Sequence, residues 1–171
     1  MPSARRLMRI NQPAIASEDD VGILTFSGAQ AMKILLAVDG SASTKRMLAT
    51  LAAHDEMLRG DNQYTALTVL PLIPPHAAAF LSRASIDGWY QEEAEKVLAP
   101  VQAFGKQNAW ALDVRYVAGH AGDEIVALCD QGGFDMIAMG THGHSALGNV
   151  VMGSTATRVL ARSKKPVLLI P

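Results

Sequence analysis

Four segments of this chain are apolar almost without interruption over the length of a β-strand: Lys33 to Val38, Tyr64 to Leu70, "FDMIAMG" ending at Gly140, and "PVLLIP" at the end of the sequence. A strand wetted on one face alternates polar and apolar residues, whereas a strand covered on both faces does not. Covering both faces of a sheet requires helices on each side, and helix-period segments do separate these runs. Ser41 or Ser43 is placed to cap a helix carrying Met47, Leu48, Leu51 and Leu58, with Gly60 as its stop. A Pro-rich loop, "PLIPPHAAAF", leads to a long helix from Asp87 to Gln107, with the stripe Tyr90, Ala94, Val97, Leu98, Val101 and Phe104. Pro100 within it is expected to kink or split it. A further strand runs from Leu112 to Val117, a short helix ends at Gly132-Gly133, and a last helix covers Thr155 to Arg162. Strand–helix alternation of this kind predicts the α/β class, with an open parallel sheet of five strands.

Composition narrows the function. A chain of 171 residues suits one domain. A net charge of −1 and a pI near 6.5 offer no basic surface for nucleic acid or anionic membrane. The single cysteine, Cys129, excludes an intrachain disulfide, and with Ile125, Val126 and Leu128 it reads as a buried hydrophobe of a helix. No segment approaches a membrane span. Arg5, Arg6 and Arg9 near the start are followed by Glu18, Asp19 and Asp20 and only a short apolar run, which fits no targeting segment. The expectation is a cytoplasmic protein. Residues 1–31 show no sustained apolar period, so they are expected to be an N-terminal extension, disordered or upstream of the true start at Met32, with the functional domain at 32–171.

The chemistry concentrates at two strand ends. Ligands of open α/β sheets bind outside the carboxyl ends of strands where the strand order reverses. Asp39-Gly40-Ser41 follows the first strand, and Gly140 follows the fourth. Gly140 and Gly143 flank Thr141-His142, and Gly153-Ser154-Thr155 opens the last helix. A helix N-terminus with bare amides and hydroxyls is an anion site, and glycine lets a phosphate approach the backbone closely. From Met139 to Thr155 there is no lysine or arginine. Binding of a polyphosphate would therefore rest on amides, hydroxyls and a divalent ion, Mg or Mn. Neither G-x-x-x-x-G-K-[ST] nor G-x-G-x-x-G occurs after a strand, which argues against a P-loop or dinucleotide fold.

From "MKILLAVDGS" through the spaced Gly140, Gly143, Gly153 and Ser154 to "PVLLIP", residues 32–171 resemble the universal stress proteins, in the branch that binds ATP. The resemblance implies the sheet order 3-2-1-4-5 and a dimer. It also implies that Asp39 lies near ribose, phosphates or metal, and that Val69 offers its backbone to the adenine edge. Met139 and Gly140 would border the ribose. Gly143, Gly153, Ser154 and Thr155 would hold phosphates. His144 stands where the family often has arginine, and as a phosphate donor it is a further candidate; His142-x-His144 as a metal pair is the weaker reading. The function expected is a nucleotide-dependent regulatory module of the stress response. The alternative is a weak ATPase or adenylyl-transfer enzyme, with Arg158, one turn into the last helix, as a residue that could reach the phosphates. The apolar last strand is expected at a sheet edge, paired with a second copy in a homodimer. No catalytic residue is assigned.

Overall fold

The computed structural model describes residues 31–54, 61–143 and 152–171. The strands are β1 (Lys33–Ala37), β2 (Gln63–Leu70), β3 (Ala111–Ala118), β4 (Met136–Gly140) and β5 (Val167–Ile170). The helices are α1 (Ala42–Ala53), α2 (Pro75–Ala78), α3 (Arg83–Gln107), α4 (Ala121–Gly132) and α5 (Ser154–Arg162). The strands form one sheet in the order β3-β2-β1-β4-β5, every pairing parallel, which is the order the family resemblance implied.

Strand alternation divides the core into two layers. Ile34, Leu36, Tyr64, Ala66, Leu70, Met136 and Ala138 point to one face, where Met47, Leu48 and Leu51 of α1 and Ala94, Leu98 and Val101 of α3 cover them. Leu35, Leu67, Ile137 and Met139 point to the other, under Ile125 and Cys129 of α4 and Ala156 and Val159 of α5. This is why β1 and β4 carry almost no polar residue: each side of each strand meets a helix. Cys129 is a core residue, 1% exposed, and burial pushes its thiol pKa up, against a reactive role.

Some boundaries differ from the sequence reading, for local reasons. Helix α3 begins at Arg83, four residues before Asp87, because Ser82 caps it: its hydroxyl accepts the Ser85 N–H at 3.0 Å. Part of the Pro-rich loop is the short helix α2, with Pro75 in its first turn. Pro100 does not split α3. It lies on the exposed side together with Lys96, the residue whose carbonyl it leaves without a donor. Pro100→Ala is therefore expected to raise stability by about 1–3 kcal/mol, the difference between proline and alanine inside a helix, read as a higher midpoint in urea with unchanged slope. Leu58 and Gly60, assigned to the first helix, lie outside the described residues.

Candidate functional site

In a parallel sheet every strand ends at the same edge, so the helices that follow begin there. The sheet order reverses between β1 and β4, and a crevice opens at their carboxyl ends. Asp39, Val69, Met139, Gly140, Gly143, Gly153, Ser154 and Thr155, drawn from four stretches of the chain, all line it. His144 lies outside the described residues.

Asp39 is held in a fixed pose. Its Oδ1 accepts the Ser41 N–H at 2.9 Å and the Thr44 hydroxyl at 2.8 Å, while its own N–H donates to Thr44 Oγ1 at 3.1 Å. Ser41 caps α1 by accepting the Thr44 N–H at 3.3 Å. Gly40, at φ +78°, makes the turn between strand and helix, a conformation that side chains disfavour. The carboxylate thus sits at the positive end of α1 with Oδ2 toward Gly143, where an added Cβ would lie 2.8 Å from it.

The glycines serve packing as well as access. A Cβ on Gly140 would come within 2.5 Å of Ser43 Cβ, so this glycine brings α1 against β4. A Cβ on Gly153 would lie 3.3 Å from the Thr141 carbonyl oxygen. That carbonyl accepts the Gly153 N–H at 2.8 Å. Gly153 therefore shapes the turn, and its own amide is engaged within the protein. The amides that open α5, on Ser154 and Thr155, precede its first internal bond, Thr157 N–H to Gly153 C=O at 3.0 Å, and among the described residues no side chain caps them.

Val69 is positioned by the ladder. Pairing of β1 with β2 stops at Ala37 and Leu67, with one further bond from the Val38 N–H to the Leu67 carbonyl. Parallel strands hand alternate residues to opposite neighbours. Leu70 faces β3, accepting the Gly119 N–H, so Val69 faces the side where β1 has ended. The crevice lining combines apolar Val69, Leu67, Ala37, Met139 and Ile125 with polar Asp39, Thr44, Thr141, His142, Ser154 and Thr155.

Ala121 and Ile125 of α4, Thr44 and Ala156 also line the crevice and were not singled out from the sequence. Helix periodicity marks Ile125 only as apolar; the place of Ile125 and Ala156 in the crevice lining follows from the strand order. His142 is partly buried, its Nδ1 2.8 Å from Thr141 Oγ1. Among the described residues no group of three or more His, Cys, Asp or Glu converges as a metal site, so a cation here would need oxygens from a ligand beside Asp39. His120 is the exposed N-cap of α4 and does not line the crevice. Arg158 turns away to Asp123 of α4: its Nε donates to Oδ1 and its Nη2 meets Oδ2, each at 2.8 Å. The guanidinium bond, then the positive charges around it, hold the Asp123 carboxyl below the usual carboxylate range.

Among the described residues no helix is long and apolar enough to cross a membrane. A universal stress protein of Synechocystis sp. is 34% identical over 137 residues, 80% of this chain. The sequence match spans 41% of that relative's length, and sequence matches to two relatives from Methanocaldococcus jannaschii span 33% and 47% of theirs. The solved structure of one of those Methanocaldococcus proteins superposes with a TM-score of 0.68 at 24% identity, covering 81% of this chain and 94% of its own. An Archaeoglobus fulgidus universal stress protein in complex with dAMP superposes with a TM-score of 0.59 at 20% identity, covering 82% and 98%. At these identities the structural likeness is one of fold. The sequence pattern of the universal stress protein family matches residues 31–171, and the chain belongs to that family.

Proposed function

We propose that residues 32–171 bind an adenine nucleotide, ATP with a divalent cation, and act as a nucleotide-dependent regulatory module in the cytoplasm. The observation that carries this reading is a crevice at the β1–β4 switch whose lining combines apolar side chains with the amides that open α5. A nucleobase fits the first and phosphates the second. The adenine edge pairs with the Val69 backbone, which faces the space left where β1 stops. Met139 and Gly140 border the ribose. Gly143 and the amides and hydroxyls of Ser154 and Thr155 take the phosphates, with His144 as a further donor, while Gly153 shapes the turn. The dAMP complex of the Archaeoglobus relative supports the choice of an adenine nucleotide.

The cation follows from charge. Among the described residues the crevice lining includes Asp39 but no lysine or arginine. A triphosphate beside that carboxylate needs a compensating positive ion, which Mg or Mn supplies with Asp39 close by.

The chain pairs with a second copy through β5. This strand is a sheet edge, and beside it a groove is lined by Arg46, Ala49, Leu51, His54, Leu168 and Ile170. Apolar strand edges favour pairing with another chain.

Extraction and mass spectrometry of nucleotide from freshly purified protein tests the reading. Intact ATP is the expected result. ADP with measurable turnover would favour the enzymatic alternative. An empty protein whose melting point ignores added MgATP would refute nucleotide binding, because a ligand at 100 times its Kd stabilises the native state by about 2.7 kcal/mol. Sedimentation of a clean monomer at high concentration would refute the dimer.

A further inference from the structure

The geometry points to Asp123 as a positioning residue: its carboxylate, gripped by two arginines of α5, sets the separation of the α4 and α5 N-terminal turns and with it the width of the crevice. This inference rests on the reading of the crevice as a nucleotide site.

Asp123 lies in the first turn of α4, and Arg158 lies one turn into α5. The guanidinium of Arg158 meets both carboxylate oxygens, Nε on Oδ1 and Nη2 on Oδ2, each at 2.8 Å. Arg162, one turn further along, donates from Nη1 to Oδ1 at 2.6 Å. The neighbouring residue is Gly122, where an added Cβ would lie 2.8 to 3.0 Å from Cβ, Cδ and Cγ of Arg158. The methylene stem of Arg158 therefore lies directly on the α4 backbone, and its head locks onto the next residue. The two helices are in contact and tied by three charge-assisted bonds from one carboxylate.

Each helix then supplies a wall of the crevice. Ala121 and Ile125 come from α4, and Ser154, Thr155 and Ala156 from α5. Asp123 is two residues from each α4 wall residue, so any shift between the helices changes the crevice directly. Isolated surface ion pairs contribute little. This one has the two properties that make such pairs count, a forked arginine–carboxylate geometry and a network, and the Asp123 side chain is only 30% exposed. The pKa directions agree, with the Asp123 carboxyl lowered and the Arg158 guanidinium raised by their mutual bond.

The test is calorimetric titration of MgATP into wild type, Asp123→Ala, Asp123→Glu and Arg158→Lys. Removing a negative charge would by itself tighten the binding of an anion. The positioning role predicts the opposite: Asp123→Ala weakens MgATP binding about tenfold, within the range of coupling between linked sites. Arg158→Lys keeps the charge but loses the fork, and is expected to weaken binding similarly. Asp123→Glu keeps a carboxylate within reach of both arginines and should recover most of the affinity. Unchanged or tighter binding in Asp123→Ala, beside a wild type that binds, would overturn the positioning role alone. A wild type that does not bind would overturn the nucleotide reading, and this inference with it.

Discussion

The double variant Gly143→Val, Gly153→Val is expected to lose its thermal response to MgATP, with affinity reduced about 100-fold, equivalent to about 2.7 kcal/mol. The reason is steric and local. The first β-carbon at Gly143 already meets Asp39 Oδ2 at 2.8 Å, and that carboxylate is fixed by Ser41 and Thr44. The loop must move off Asp39, which displaces the very segment proposed to face the phosphates. At Gly153 a β-carbon presses on the Thr141 carbonyl at 3.3 Å and pushes the α5 N-terminus from its bond partner. Both collisions lie at the rim and neither residue belongs to either core cluster. The unliganded variant should therefore stay folded, destabilised by about 1–3 kcal/mol as expected for local overpacking. Differential scanning fluorimetry with and without MgATP separates the two effects. A variant that melts early yet retains the full nucleotide shift would contradict the proposed phosphate site.

Asp39→Asn should change how binding depends on metal more than it changes the fold. In the wild type, chelating the cation sets the Asp39 carboxylate against a bare triphosphate. Two unit charges roughly 4 Å apart interact by about 1 kcal/mol in water and about 4 kcal/mol near a protein surface. Chelation is therefore expected to weaken ATP binding by at least about fivefold. Asparagine keeps an oxygen to accept from Ser41 N–H and Thr44 Oγ1, so the start of α1 is preserved. It removes the charge, so MgATP binds less tightly and metal-free ATP more tightly. The ratio of affinities with and without chelator should shrink to about threefold or less in Asp39→Asn, since the charge term behind the difference is gone. Equal ratios in both proteins would remove Asp39 from the metal and phosphate neighbourhood.

Much of the fold was legible because its signals are local. The runs in β1, β2, β4 and β5 announced strands covered on both faces, and the two core layers follow from their alternation. Helix ends were less legible. The start of α3 depends on which of several serines caps it, and Ser82 does so through a geometry that composition does not reveal. Pro100 looked like a break but lies on an exposed side, where its missing donor is tolerated. At the crevice, the spacing of Gly140, Gly143 and Gly153 was plain, yet their reasons differ. Gly140 makes room for Ser43, and the Gly153 amide bonds to Thr141. A glycine in a sequence says that space is needed, not whether protein or ligand occupies it.

The sequence by itself determined the class of fold, the family and the residues gathered at the strand ends, because strand burial and the glycine spacing are written in near neighbours. Only the tertiary structure decided that Ile125 of α4 shares the crevice with Asp39, and that Arg158 is turned from it by Asp123, 35 residues away. Those facts depend on how two helices lie across a sheet, and a contact between segments distant in the chain leaves no periodic trace in either of them.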